Sequence, residues 1–344
     1  MKTEKVTMKE MAEILDVSTA TVSKALRDGD DISDEMAKKV KKLAKKLGYR
    51  PNRLARGLIS ENSYLIGALI PDLRISFFSE AARGIYEKAR QEDYQAILMV
   101  NDEDPETEKE NLQFLADIDV DGILLNNTPG EKNRELYKQI ADQGVPTVCW
   151  DRRLDDLGFS SVSIDDYQAA YTLTKKLIEE GRKNILYMGP KAGISVAKDR
   201  FNGYRDAMED SNLNINIEDN CLITGLHAEE CYGSLKSVLK KGKPIDGILC
   251  VGGMVAYGAG HAILERGLSI PEDIMIAEFG DNDVVAQLGV SFWTIEQNPY
   301  KIGKTALDLL LDEINNEKEV DYTKHIIVDT ELIHHKVGEP FFNR

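Results

Sequence analysis

The short segment that begins at Ser18 contains several small hydrogen-bonding side chains and one lysine. Serine and threonine hydroxyls and a lysine ammonium group can bond to base edges and to phosphate oxygens of a nucleic acid. If Val22 faces the interior of a helix, Thr19 and Lys24 face outward near its N-terminal half, where a recognition helix meets base edges. The small side chain of Ala20 would let such a helix lie deep in the major groove. The segment therefore predicts a surface that reads double-stranded DNA.

Three helix starts position this surface. Thr7 and Glu10 have the S/T-x-x-E spacing in which a hydroxyl and a carboxylate cap each other's backbone N–H groups, so a helix should begin just after Thr7. Ser18 and Ser33 can cap a second and a third helix, and Gly48 can end the third in a left-handed conformation. A single capping box is common in proteins of every function. Two short helices joined by a tight turn and followed by an amphipathic third helix favour a helix-turn-helix unit.

The head of the chain resembles the headpiece of the lactose-repressor (LacI/GalR) family of bacterial transcription regulators. The resemblance lies in three runs, Val6–Ala12, Val17–Leu26 and Leu47–Asn52. It implies an all-α helix-turn-helix DNA-binding domain at residues 1–48. It also implies a regulator that binds a pseudo-palindromic DNA operator as a homodimer.

Residues 49–62 resemble the hinge helix and linker of that family, in which two hinges lie side by side in the minor groove of the operator. By this match Leu58 is an apolar wedge between base steps that kinks the duplex, while Arg53 and Arg56 face phosphate or the groove edge. The alternative is an ordinary linker, which Gly57 slightly favours because glycine weakens a short helix. The residues predicted to contact DNA are Thr7, Ser18, Thr19, Ala20, Thr21, Ser23, Lys24, Asn52, Arg53, Ala55, Arg56 and Leu58.

Charge separates the head from the rest of the chain. Residues 1–60 contain 14 Lys and Arg against 9 Asp and Glu, a net charge of +5, whereas the whole chain carries −16 and the remainder therefore −21. A basic head suits phosphate binding, because each neutralised phosphate releases counterions. The lysines between positions 38 and 46 are for the most part explained as a solvated helix face. The acidic remainder argues against a second nucleic-acid surface or a membrane-binding one.

From Tyr64 onward, short apolar runs alternate with amphipathic helices, which is the pattern of a parallel sheet covered on both faces. The run Val120–Leu125 recurs as Ile245–Cys250, which indicates two similar lobes. Strands are predicted at 64–70, 95–100, 121–126, 145–150, 161–164, 184–189, 220–224, 245–251, 274–279, 292–296 and 325–333.

The resemblance extends to this body and implies two Rossmann-like α/β lobes that exchange strands, as in periplasmic sugar-binding proteins. An effector-binding and dimerisation domain is predicted at 63–344. Its N-lobe and C-lobe are predicted, respectively, at about 63–160 with 292–323 and at about 161–291 with 324–340.

Ligands of open α/β sheets bind beyond the carboxyl ends of strands, which singles out certain side chains. Asp72 follows the first strand and Asp151 the fourth, and an aromatic pair opens the helix after Asp72. The resemblance adds Arg200, whose forked guanidinium can hold two hydroxyls or a carboxylate. It also adds His227, Asp281 and Gln297, which occupy effector-pocket positions of the family. Each residue has a structural alternative, since aspartates at strand ends often cap helices and aromatic rings often lie in cores. The residues predicted to bind an effector are Asp72, Phe77, Phe78, Asp151, Arg200, His227, Asp281 and Gln297.

The chain departs from the family pattern inside this pocket. Gly252 and Gly253 stand where many members carry Asn-Asp, and Gly280 replaces a family aspartate beside Asp281. Two polar side chains that commonly bind sugar hydroxyls are therefore missing. The pocket is expected to suit a disaccharide, an oligosaccharide or a sugar acid, or a ligand that is not a simple sugar. Control by a phosphorylated carrier protein, as in some relatives, is a further alternative.

Other classes of protein fit the sequence poorly. There is no signal peptide and no apolar run of membrane-spanning length, so a cytoplasmic location is expected. The four cysteines show no metal-ligand spacing, no enzyme motif is recognisable, and no metal, cofactor or catalytic residue is predicted. A sensor that does not act on DNA is a less favoured alternative. The sequence thus predicts a dimeric transcription regulator, a repressor of carbohydrate utilisation genes controlled by a small sugar-type effector.

Overall fold

The computed structural model describes residues 6–26, 32–49, 62–213, 216, 220–280, 282–315 and 323–337. The chain forms two compact units that divide after Ser63. Six residues with predicted roles lie outside the described residues, so those roles stay predictions: Asn52, Arg53, Ala55, Arg56, Leu58 and Asp281.

The first unit contains the helices α1 (Met8–Leu15), α2 (Thr19–Leu26) and α3 (Asp34–Leu47). Thr7 N donates to Glu10 Oε2 at 2.7 Å and Glu10 N donates to Thr7 Oγ1 at 3.3 Å, which confirms the predicted capping box. Ser18 Oγ accepts from Thr21 N at 3.0 Å at the start of α2. Gly48 ends α3 with φ at 65°, as predicted. Local capping chemistry therefore fixes the boundaries of these helices.

The three helices enclose a small apolar core. Its buried side chains come from every helix: Met11, Ala12, Val22, Ala25, Val40 and Ala44. Because Val22 and Ala25 point into this core, the opposite face of α2 is left to solvent.

The second unit alternates strands and helices. Its strands are β1 (Leu65–Ile70), β2 (Gln95–Val100), β3 (Gly122–Leu125), β4 (Thr147–Trp150), β5 (Ser160–Ser163), β6 (Ile185–Met188), β7 (Cys221–Leu222), β8 (Gly247–Cys250), β9 (Met275–Phe279), β10 (Phe292–Glu296), β11 (His325–Ile327) and β12 (Glu331–His335). Its α-helices are α4 (Ser76–Gln91), α5 (Pro105–Asp117), α6 (Arg134–Asp142), α7 (Asp166–Glu179), α8 (Ser195–Glu209), α9 (Ala228–Lys240), α10 (Gly253–Glu265), α11 (Asn282–Ala286) and α12 (Pro299–Asn315). Among the described helices, none is long and apolar enough to cross a membrane.

The strands form two six-stranded sheets, one in each lobe. The first lobe has the order β11-β5-β4-β3-β1-β2 and the second has β12-β10-β9-β8-β6-β7. Neighbouring strands run parallel except for β10 and β12, which are antiparallel. The central strands read as continuous apolar runs, because helices cover both faces of each sheet.

The lobe boundaries differ from the sequence prediction at three strands. β5 was expected in the second lobe and β10 in the first, but β5 pairs with β4 and β10 pairs with β9. The single strand expected at 325–333 is two strands, of which β11 pairs with β5 and β12 with β10. The chain therefore crosses between lobes three times. An apolar pattern indicates that a strand exists but does not select its pairing partner, which is why these three assignments were wrong.

Helix α12 packs against α4 in the first lobe, as its predicted place in that lobe requires. Two glycines allow the backbones of α4 and α12 to approach closely where the helices cross. A Cβ atom at Gly303 would lie 2.0 Å from the carbonyl oxygen of Ala81, and one at Gly84 would lie 2.2 Å from that of Tyr300. The backbones thus touch in a way that any larger residue would prevent.

A buried carboxylate supports the loop that follows β3. Glu108, on α5, is fully buried and accepts hydrogen bonds from four donors. Its Oε1 accepts from Thr128 N at 3.2 Å and from Tyr137 OH at 2.7 Å. Its Oε2 accepts from Asn133 Nδ2 at 3.0 Å and from the hydroxyl of Thr128. These bonds hold Thr128, and with it the backbone of Asn127, at the carboxyl end of the sheet.

Candidate functional site

The outer face of α2 is the first candidate site. Thr19, Ala20 and Lys24 are exposed, as the sequence predicts, whereas Ser23 is half-buried. The hydroxyl of Thr21 lies 2.9 Å from that of Ser18, so these two side chains serve the cap. A face of short side chains ending in a lysine can enter a groove of DNA and bond to base edges there.

A second candidate site is a cavity between the two lobes of the second unit. Its lining comes from segments that follow β1, β4, β6, β7, β8 and β10 and from the last residue of β9, so it lies beyond the carboxyl ends of both sheets. Five residues predicted to bind an effector line it: Phe77, Phe78, Asp151, Arg200 and Gln297.

Arg200 is the centre of the second-lobe side of this cavity. Its Nε donates to Asp166 Oδ1 at 2.7 Å, its Nη1 to the carbonyl of Val251 at 2.6 Å and its Nη2 to Gln297 Oε1 at 2.8 Å. The guanidinium carbon lies 3.7 Å from the ring centroid of Phe279. Protein acceptors and an aromatic ring thus hold the Arg200 guanidinium, which the family resemblance assigned to effector binding.

The carboxylate of Asp166 compensates the positive charge of Arg200, but its burial disfavours its own charged form. It lies in the first turn of α7 and is fully buried. Burial raises the pKa of its carboxyl to about 7, against the attraction of the Arg200 guanidinium. In the sequence, Asp166 could be recognised only as an aspartate at a helix start, where aspartates are ordinarily exposed.

A second arginine supports the first-lobe side. Arg152 is buried, and its Nη1 donates to Glu103 Oε2 at 2.8 Å and to the carbonyl of Asn127 at 2.7 Å. Its Nη2 donates to the other oxygen of Glu103. The loop held by Glu108 therefore also fixes the position of Arg152.

Asp151 faces the cavity beside this arginine. Its Oδ2 lies 4.0 Å from Arg152 Nε, and the side chain is buried. Burial raises the pKa of Asp151, whereas the charges of Arg152 and Arg200 oppose that rise. A buried carboxylate at a cavity wall can accept a hydrogen bond from a hydroxyl of a ligand.

Polar contacts join the lobes beside the cavity. Arg153 N donates to Ser195 Oγ and Arg153 Nη2 to Asp199 Oδ2, each at 2.8 Å. Gly130 N donates to the carbonyl of Gly193 at 2.9 Å. These hydrogen bonds link loops of the first lobe to α8 and to the loop before it in the second lobe.

Two predicted effector residues do not line the cavity. Asp72 accepts from Arg74 N and Arg74 Nε, each at 2.8 Å, and although burial opposes it these bonds lower the pKa of Asp72. His227 is exposed and precedes the first residue of α9. The structure in turn adds Val251 and Phe279 to the lining and Asp166 as a partner of Arg200, residues marked in the sequence only by their places at strand and helix ends.

Comparisons with known proteins match both units. A family described as bacterial regulatory proteins, lacI family, matches residues 7–52, and one described as periplasmic binding proteins and sugar binding domain of LacI family matches residues 63–336. The chain belongs to the LacI family. This LacI-family protein is thus a DNA-binding transcription regulator, with a helix-turn-helix head and a two-lobed α/β body. Family members are regulators and not enzymes, which agrees with the prediction of no catalytic site.

Individual relatives match over nearly the whole chain. The HTH-type transcriptional regulator RegA of Clostridium saccharobutylicum is 31% identical over 95% of this chain and 97% of its own. Catabolite control protein A of Staphylococcus aureus (strain MRSA252) is 33% identical over 91% of this chain and 94% of its own. The fold is that of the lac repressor dimer bound to operator and the anti-inducer ONPF, with a TM-score of 0.85, 22% identity, and coverage of 97% of this chain and 99% of that one.

Proposed function

We propose that this LacI-family regulator is a homodimeric repressor of carbohydrate utilisation genes. In this proposal the α2 face reads a pseudo-palindromic operator, and a small sugar-type effector in the inter-lobe cavity controls operator affinity. The observation that carries the proposal is the position of the cavity. Both lobes line it, and a matched family is described as a sugar binding domain.

The contacts explain how occupancy can change DNA binding. Phe77 and Phe78 belong to the first lobe, whereas Arg200 and Phe279 belong to the second, so a ligand that touches both walls favours one angle between the lobes. Only a ligand with different affinity for the two angles can shift their populations. The coupling between effector and operator is reciprocal, so an effector that releases DNA must bind the DNA complex less tightly.

The test is operator binding by the purified protein. Genomic fragments serve as bait at a fixed salt concentration, and a panel of sugars and sugar acids is added to the complex. We expect one compound to release the DNA. If no compound in the panel changes operator affinity, control by a sugar-type effector is refuted.

One substitution locates the effector. A Cβ atom at Gly252 would meet no other atom within 4 Å, so Gly252→Phe can place a ring in the cavity without disturbing the backbone. The variant should bind the operator as the wild type does but should no longer release it. Release at the wild-type sugar concentration would place the effector outside this cavity.

A further inference from the structure

Crossing segments of the chain join the two lobes at residues 164–165, 297–298 and 328–330. They lie between β5 and α7, between β10 and α12, and between β11 and β12. These covalent crossings connect the lobes whatever the angle between them. Contacts through space behave differently, because a rotation of one lobe can break them.

Arg153 makes such a contact from the first lobe to the second. It lies in the loop between β4 and β5, whereas Ser195 and Asp199 lie on α8 of the second lobe. Its backbone N–H donates to Ser195 Oγ and its Nη2 donates to Asp199 Oδ2, each at 2.8 Å. Its Nε donates to Asp155 Oδ1 of its own lobe at 3.1 Å. The guanidinium of Arg153 is thus held by its own lobe on one side and by α8 on the other.

The ion pair between Arg153 and Asp199 is partly shielded from water. The two side chains are 21% and 23% exposed, whereas that of Asp155 is 60% exposed. Exposed ion pairs contribute little because solvent screens them, whereas charge-assisted hydrogen bonds are stronger than neutral ones. A hydrogen bond to a charged group typically changes an equilibrium constant by roughly tenfold or more. Loss of this pair should therefore alter the population of a lobe angle by about that factor.

A second contact between the lobes involves backbone atoms alone. Gly130 follows β3 in the first lobe, and its N–H donates at 2.9 Å to the carbonyl of Gly193, which precedes α8. Gly130 is exposed, so this hydrogen bond, and not burial, protects its amide from exchange with solvent. The amide of Gly130 therefore reports whether the two loops are in contact.

We propose that Arg153 is a latch between the lobes, whose bonds to Ser195 and Asp199 stabilise the lobe angle of this structure over angles at which α8 has moved away. A hydrogen bond of 2.8 Å is lost when its atoms separate by about another ångström, so a small rotation breaks the latch. The latch gives one angle a contact that the others lack, and such a difference shifts a population between two states. A ligand that requires this angle binds a latched protein more tightly, because the competent state is already populated.

Amide hydrogen exchange of the full-length protein without ligand tests the latch at single residues. In Asp199→Ala the amide of Gly130 should exchange about tenfold faster than in the wild type, because the lobes separate more often. Alanine suits the interior of α8, so the substitution should preserve the helix. The amide of Asp151, which donates to the carbonyl of Val162 within the first lobe at 2.8 Å, is the internal reference and should keep its rate.

Asp155→Ala is the matched control, because it removes a carboxylate from the same guanidinium on the first-lobe side. It should change the exchange rate of Gly130 by less than about twofold. Arg153→Ala removes the other partner of the ion pair and should accelerate Gly130 by a factor similar to that of Asp199→Ala. In the Arg153→Ala background, Asp199→Ala should have no further effect, since the partner of its carboxylate is already gone.

Acceleration of Gly130 in Asp199→Ala and Arg153→Ala, with an unchanged Asp151 amide, supports the latch. An unchanged rate at Gly130 in both variants overturns it. Equal acceleration by Asp155→Ala also overturns it, because the effect would then come from charge and not from the contact between lobes. Acceleration of Gly130 and Asp151 by the same factor would mean that the first lobe unfolds locally instead of separating from the second, and this too overturns the latch.

Discussion

Replacing Glu108 by glutamine tests how much the body depends on the buried carboxylate that supports the cavity loop. The amide of glutamine has one oxygen and one NH2 group, whereas in the wild type both carboxylate oxygens of Glu108 accept hydrogen bonds from donors. The hydroxyls of Tyr137 and Thr128 can turn to accept from an NH2 group, but Thr128 N and Asn133 Nδ2 cannot. Either orientation therefore leaves one N–H donor buried without a partner.

The expected loss of stability follows from these bonds. One buried donor without a partner costs about 1–3 kcal/mol, and the remaining bonds lose the strengthening that a charged acceptor provides. We expect Glu108→Gln to lower the free energy of unfolding of the body by about 3 kcal/mol. The shifted loop should also weaken effector binding, because Asn127 in that loop holds Arg152.

The measurement is urea-induced unfolding followed by circular dichroism, with the wild type, Glu108→Gln and Glu110→Gln compared at one pH. Glu110 lies on the same helix and is exposed, so this control removes the same charge without touching the network. Equal unfolding midpoints for the two variants would refute the reasoning, because the loss would then come from net charge alone.

Three further predictions concern other parts of the molecule. Gly303→Ala should destabilise the body by about 3 kcal/mol, because its Cβ would lie 2.0 Å from the carbonyl oxygen of Ala81. The control Gly233→Ala, at an exposed helical position with open space, should stabilise the body by about 0.5–1 kcal/mol. Stability losses of equal size for the two variants in thermal unfolding would contradict the close crossing of α4 and α12. Burial raises the pKa of Asp166 to about 7, from the ordinary value of 3.8 that it regains on unfolding. The stability of the wild type relative to Asp166→Asn should therefore fall as pH rises from about 4 to about 7, and a flat difference in unfolding free energy across that window would contradict the burial effect. Lys24→Ala should relax base preference, and an unchanged motif in a randomised-site selection would show that Lys24 contacts only phosphate.

Local signals made the head of the chain predictable. The capping box at Thr7, the cap at Ser18 and the left-handed end at Gly48 each depend on neighbours within a few residues, and the structure confirms all three. The body was predictable as alternating strands and helices for the same reason. Its strand partners were not, because the choice between β4 and a second-lobe neighbour for β5 depends on residues far along the chain.

For the cavity, too, some residues were predictable from the sequence and others were not. Strand ends directed attention to Asp151, and the resemblance supplied Arg200 and Gln297, all of which line it. The bond between Arg200 and Gln297 joins residues 97 positions apart, so no local pattern could have shown that the arginine is already engaged. Asp166 was missed because burial, which sets its pKa, is a property of the packed lobes.

Strands β11 and β12, which are synthesised after all the strands they pair with, give the order of synthesis a role in folding. β11 forms one edge of the first sheet and β12 one edge of the second, and both arise within residues 325–335. Neither sheet can be completed while the ribosome still holds this segment. During translation the body must therefore wait with two open sheet edges, which are surfaces that pair readily with other chains. The strand exchange that joins the lobes in the finished protein thus lengthens the period in which a nascent chain is exposed to misassembly and to chaperones.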